Sequence, residues 1–208
     1  MLQYSTLEPH TLDILKELMA IPELDGFYLV GGTALALMYG HRLSVDLDLF
    51  SSVEFEPQKL VPILEKKYSG FTYNNVHNSV GLFGFIDDVK VDFVRYHYYP
   101  LIDDLVVLDG IRLSGIHDLM AMKVAAILKR GVKKDFWDIA EILNHYSIEQ
   151  VIDAYNHKFP NQQMLISIPQ ALIYFDDADA SEDPVSKKGQ TWDSVKKTIR
   201  KQVDAYLK

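Results

Sequence analysis

Apolar and polar positions along the chain keep two rhythms, and the change between them falls near Arg112. Before it, helical spacing alternates with β-rich runs; after it, only the helical spacing recurs. The front half predicts a helix over 8–19, a strand ending at Tyr28, Leu29 and Val30, a helix over 33–39 and a strand over 45–50. A helix from Pro57 to Lys67 follows, then strands over 71–76, 80–86, 89–95 and 105–108. The back half predicts helices over 114–129, 134–144, 148–156, 162–175 and 191–207. The expected fold class is α+β, with an α/β domain over residues 1–112 and a helical domain over 113–208. Ahead of the last helix, DDADASEDPVSKKGQ (176–190) is acidic, small and proline-containing, the composition of a mobile loop.

The segment GGTALALMYGHRLSVDLDLF, residues 31–50, carries the first candidate chemistry. Gly31 and Gly32 stand between a strand and a helix, where a backbone without Cβ atoms approaches an anion closely. Unpaired N–H groups and the positive dipole end of the helix favour negative charge there, so the turn predicts a phosphate site. Strand alternation then puts Ser44, Asp46 and Asp48 on one face and Val45, Leu47 and Leu49 on the other. Two carboxylates on one face repel unless a cation joins them, and a hard divalent ion with oxygen ligands, Mg²⁺ above all, suits them. Asp92, inside the run Val89, Val91, Phe93, Val94, supplies a third carboxylate if its strand lies beside the first. Three such groups hold two ions roughly 3.5–4 Å apart, as phosphoryl-transfer sites do, so the chemistry expected is nucleotidyl transfer. Each motif alone has a plainer reading: an ordinary turn, a chance acidic pair, an edge-strand aspartate. All three plain readings must hold together to remove the site.

In that order, the glycine pair, Asp46/Asp48 and Asp92 resemble the nucleotidyltransferases of the DNA polymerase β-like superfamily. The wording HRLSVDLDLF (41–50), KVAAILKR (123–130) and KDFWD (134–138) narrows the resemblance to the AbiEii-type toxins, over about residues 28–138. It implies a nucleotidyltransferase α/β domain with a mixed sheet, followed by a C-terminal helical bundle. It also implies that a lysine at Lys123 contacts the nucleotide, that Asp138 belongs to the active site, and that the acceptor is RNA, tRNA first. The biological role implied is a toxin held in check by an antitoxin protein. Asp46 and Asp48 are then expected to bridge two Mg²⁺ ions, with Mn²⁺ as the alternative, while Asp92 holds the catalytic ion and helps activate the attacking hydroxyl. Gly31, Gly32, Thr33 and Ser44 are expected to cradle the phosphates of an NTP, with Arg42 beside them. Two rivals share these residues: a small-molecule nucleotidyltransferase of the antibiotic-modifying type, and a non-enzymatic binding module on the same fold.

On the residues alone, Lys123 falls on the apolar face formed by Ile116, Leu119, Met120, Val124, Ile127 and Leu128, where an ammonium must snorkel outward or find an anion. Asp135 and Asp138 stand one turn apart on the next helix, placed to pair with Arg130, Lys133 or Lys123 or simply to suit a helix N-terminus. The histidines lack metal-ligand spacing, and Tyr96, Tyr98 and Tyr99 read as packing before base stacking. Lys187, Lys188, Lys196, Lys197, Arg200 and Lys201 form a basic face on the last helix, opposite Val195, Ile199 and Val203.

Charge refines the expected partners. The net charge of −8 sits wholly in residues 1–112, with 8 Lys and Arg against 16 Asp and Glu; residues 113–208 balance at 13 and 13. An acidic front half disfavours broad nucleic-acid affinity, so any RNA contact is expected from the second half or the seam. The chain has no cysteine, which excludes disulfides and thiolate zinc sites. The first residues lack a leader pattern and no stretch reaches membrane-spanning length, so the expected compartment is the cytoplasm, with no membrane partner.

Overall fold

The computed structural model describes residues 1–208. Seven strands form one sheet: β1 (Phe27–Leu29), β2 (Leu47–Ser51), β3 (Phe71–Tyr73), β4 (Gly81–Ile86), β5 (Val89–Arg95), β6 (Val106–Leu108) and β7 (Ile111–Leu113). Their order across the sheet is β3-β4-β5-β2-β1-β7-β6. β2 runs parallel to β5 and β1 parallel to β7, while the other neighbours are antiparallel, so the sheet is mixed. Alternation along β5 sends Val89, Val91 and Phe93 into the core and leaves Lys90 and Asp92 on the opposite face.

The helices are α1 (Pro9–Met19), α2 (Gly31–Tyr39), α3 (Pro57–Lys67), α4 (Ile116–Lys129), α5 (Lys133–Ile142), α6 (Ile148–Lys158), α7 (Ile168–Ile173), α8 (Asp176–Asp179) and α9 (Trp192–Tyr206). Proline opens α1 and α3, where its missing N–H costs nothing. One hydrophobic cluster of 52 residues runs from the sheet through α4, α5, α6 and α9. A buried pair, Lys158 Nζ to Asp118 Oδ1 at 2.6 Å, fixes α6 to α4, and the backbone N–H groups of Ile102 and Asp103 also donate to the Asp118 carboxylate. No helix is long and apolar enough to cross a membrane.

Several elements differ from the sequence expectation. α2 takes in the glycine pair, starting at Gly31 rather than at 33, and β3 ends at Tyr73 rather than at 76. The strand expected from residue 45 begins at Leu47; Asp46 sits in the irregular segment just before it, and Val45 is 57% exposed rather than in the core. β7 was not expected: the change of rhythm read at Arg112 falls inside this strand, so the sheet continues past the expected end of the front half. The helix expected over 162–175 covers only Ile168–Ile173: Ser167 and Gln170 make a reciprocal cap and Pro169 sits in the first turn, which together set the start late. The stretch 176–190, expected as a mobile loop, is tied down as a strap. Leu43 donates its N–H to the Val185 carbonyl and Lys187 to that of His41, each at 2.9 Å. Lys188 Nζ reaches Glu141 at 2.6 Å.

Candidate functional site

β1 delivers the glycine pair to the edge of β2, where the Val30 N–H donates to the Asp48 carbonyl at 2.9 Å. Gly31 has φ +69°, and a Cβ on it would stand 2.8 Å from Asp48 Oδ2, so both conformation and space call for glycine. The first N–H groups of α2 have no partner within the helix and open beside the Asp48 carboxylate.

Asp48 lies in register with Asp92 across the parallel pair β2/β5, which sets the two carboxylates side by side. Burial raises the Asp48 carboxyl above the ordinary aspartate range; repulsion from Asp92 and Asp46 adds to this, and Lys90 and Lys123 partly offset it. Asp92 is buried. Its Oδ2 accepts from the Lys90 ammonium, and its Oδ1 is enclosed without any partner. Asp46 is half-buried, with Lys134 Nζ at 3.5 Å. As these side chains stand, no three His, Asp or Glu groups are close enough together to share one metal ion.

Behind this row, α5 supplies two buried carboxylates. Asp138 accepts from four donor atoms: His41 Nε2 and Arg42 Nε at 2.7 Å on Oδ1, Arg42 Nη2 at 2.9 Å and Lys123 Nζ at 2.6 Å on Oδ2. Burial alone would raise its pKa; the Arg42 and Lys123 charges and the His41 hydrogen bond instead hold it well below the usual carboxylate range. Asp135 accepts from Lys123 at 3.0 Å and from Arg130 Nε at 3.1 Å. Lys123 therefore neither snorkels nor waits for a ligand. Burial would lower its pKa, but Asp138 and Asp135 keep it above the usual lysine value.

A pocket of about 250 Å³ opens in front of these groups. Gly31, Gly32, Thr33, Arg42, Ser44, Asp46, Asp48 and Lys123 all line it, whereas Asp92 lies outside its lining beside Asp48, and Asp138 sits behind the wall. Two expected phosphate ligands are occupied from within. The Thr33 hydroxyl donates to the Asp46 carbonyl, so the Ser44 hydroxyl, 2.8 Å away, must donate to Thr33. Neither O–H is then free for a phosphate, and both fix the segment that carries Asp46. Arg42 is held in place by Asp138 and the Leu43 carbonyl, which take three of its five N–H donors. The cations with exposed side chains at the mouth are Arg130 and Lys134.

Sequence reasoning did not single out Lys90, Lys134 or His41. For Lys90 the signal was present, because the alternation that places Asp92 places Lys90 on the same face two residues earlier. His41 and Lys134 stood inside the quoted motifs, but only the fold brings His41 to Asp138 and Lys134 to Asp46.

The donor set suits a hard divalent cation at Asp48 and Asp92. The ligands are carboxylate oxygens, their mutual repulsion is visible in the Asp48 shift, and Asp92 Oδ1 is a buried acceptor with nothing to accept.

Comparisons with known proteins bear on the fold and the family. A family model described as nucleotidyl transferase AbiEii toxin, type IV toxin–antitoxin system, matches residues 13–80 and 79–206. An uncharacterized protein of Aquifex aeolicus is 29% identical over 208 residues, covering 97% of this chain and 98% of its own length. Among solved structures, a Helicobacter pylori protein described as a nucleotidyltransferase superposes with a TM-score of 0.57 at 17% identity, covering 95% of both chains. The nucleotidyltransferase toxin MenT4 of Mycobacterium tuberculosis gives 0.59 at 11% identity, over 92% of this chain and 80% of its own. At these identities the structural likeness establishes the fold, and it is the family match over most of the sequence that places the protein: the chain belongs to the AbiEii nucleotidyltransferase toxin family.

Proposed function

We propose that the protein transfers a nucleoside monophosphate from an NTP to an acceptor hydroxyl, releasing pyrophosphate, and that it does so as a toxin restrained by an antitoxin. The observation that carries this reading is the register of Asp48 with Asp92 beside the open N-terminus of α2, since it sets paired carboxylates next to a phosphate-binding turn. Asp48 and Asp92, with Asp46 at the edge, would hold Mg²⁺ or Mn²⁺, which when bound supplies charge neutralisation at the α-phosphoryl group and a more acidic acceptor hydroxyl. Backbone N–H groups of Gly31 and Gly32 cradle the phosphates, and Arg130 and Lys134 meet the remaining charge at the pocket mouth. Lys123 and Arg42, held from behind by Asp138, form a rigid wall of the pocket that keeps the start of α2 and the Asp46 segment in place.

The acceptor implied by the resemblance is RNA, tRNA first. A specific observation favours the small-molecule rival: a neighbouring groove of about 590 Å³ shares Arg42, Ser44, Asp46 and Lys134 with the site, and although Lys133 pairs with its Asp183, Glu8 and Glu182 add negative charge that suits a cationic acceptor. Incubating the protein with each labelled NTP, Mg²⁺ and either total bacterial RNA or a set of aminoglycosides separates the two. Label in RNA supports the first reading, label in the aminoglycosides supports the second, and no transfer to either returns the fold to a binding role.

A further inference from the structure

Lys90 stands out among the titratable groups because it holds the place that the carboxylate row leaves for a cation. It precedes Asp92 by two residues on β5, so both side chains rise from the same face of the sheet. Its ammonium donates to Asp92 Oδ2, while Asp92 Oδ1 stays buried and unpartnered. The Asp92 side chain is 11% exposed but that of Lys90 is 43% exposed, so the lysine reaches in from solvent and has room to swing out. The same ammonium offsets the repulsion that Asp92 and Asp46 exert on Asp48. No three acidic groups converge on a common point beside it.

We infer that Lys90 is a tethered surrogate cation, which neutralises Asp48 and Asp92 in the metal-free protein and competes with a metal ion for the Asp92 carboxylate. This rests on the reading of Asp48 and Asp92 as metal ligands. Two like charges buried side by side destabilise the empty site, and a lysine on an adjacent face position relieves that cost without closing the site permanently. The consequence is a competition: the ammonium that stabilises the empty protein opposes metal entry. Lys90 thus acts on metal loading through Asp92, stabilising the empty site and yielding it to the ion.

The test is Mn²⁺ binding to the full chain without nucleotide, followed by isothermal titration and by loss of the free-ion resonance signal, for wild type, Lys90→Met, Lys90→Arg and Asp92→Asn. Lys90→Met should bind Mn²⁺ about tenfold more tightly than wild type, the scale of one unit charge at a half-exposed site. It should also melt lower than wild type in chelator and recover more on adding Mn²⁺. Lys90→Arg, which keeps the charge, should stay near wild type, and adding Asp92→Asn to Lys90→Met should erase the gain. Should Lys90→Met fail to fold, Lys90→Gln carries the same comparison. If Mn²⁺ binding is weakened by Asp92→Asn but unchanged by Lys90→Met, the surrogate role is overturned and the metal reading stands. If no variant shows Mn²⁺ binding that depends on Asp92, both are overturned.

Discussion

The guanidinium of Arg42 occupies the space beside Gly32 that a side chain would need: a Cβ on Gly32 would fall 2.1 Å from Arg42 Nη2 and 3.4 Å from Asp138 Oδ2. Glycine at this position lets the arginine cross the first turn of α2 and reach the α5 carboxylate. Gly32→Ala would ordinarily gain up to about 1 kcal/mol from helix propensity. Here the arginine cannot yield without leaving Asp138, so the substitution should instead destabilise by about 1–3 kcal/mol, the range for overpacking. Urea denaturation of the two proteins gives the sign.

Lys123→Met reverses an expectation drawn from sequence. A nucleotide-binding lysine on an apolar helix face would be lost with little effect on stability. In the fold, Lys123 bridges Asp135 and Asp138, both fully buried. Removing it should cost about 3 kcal/mol, the low end for breaking a buried pair because Arg42 and Arg130 still cover the carboxylates. Chemical denaturation beside NTP titration of the folded protein measures both effects, and a melt like that of wild type would return Lys123 to a ligand-binding role.

The strap makes a pH-dependent contribution through Glu141. Burial alone would raise this carboxyl, yet hydrogen bonds from Lys188 and His145 hold it below the ordinary glutamate value. A depressed folded pKa gives stability that is full above the unfolded value near 4.5 and is lost as pH falls through the folded one. Lys188→Met should remove on the order of 1 kcal/mol above about pH 5 and almost nothing in acid. Melting curves across roughly pH 3–7 test this, and a loss equal at every pH would dissociate the strap from Glu141.

The basic face of α9 offers the test of an RNA acceptor. Val195, Ile199 and Val203 are buried, while Lys196, Lys197, Arg200 and Lys201 line the opposite side together with Asp193 and Asp204. Changing the four cations to Glu should weaken RNA binding and flatten its salt dependence, each single-strand phosphate no longer neutralised reducing the slope by roughly 0.7. NTP binding should hold. An unchanged salt slope would make α9 a solvated face only.

Much of the site could be read from sequence because its chemistry is packed into short local patterns. Gly31-Gly32 and the Asp46/Asp48 pair lie within one strand–helix–strand unit, and strand periodicity alone put Asp92 on a β-strand. What the pattern could not supply was partnership over distance. A lysine such as Lys123 needs an anion, and a phosphate or the α5 carboxylates would satisfy it equally; only the packing of α4 on α5 chooses. The hydroxyls of Thr33 and Ser44 look free in the sequence and are consumed by each other and by the Asp46 carbonyl. Residues 176–190 have a linker's composition, and their order comes from backbone pairing with His41 and Leu43, which no local rule anticipates.

That pairing also sets an order of assembly. The turn carrying His41, Arg42 and Leu43 leaves the ribosome long before Val185 and Lys187, yet its outward-facing backbone groups are satisfied only by them. A nascent chain can close the sheet as far as β5 and bury much of its core while that turn still lacks its last partners. Pairings of such long sequence separation are the slowest to form. The wall behind the pocket therefore gains its final backbone partners only once residues 185–187 arrive, long after α5 has supplied Asp138, so a chain cut before them lacks the backbone pairing that flanks Arg42.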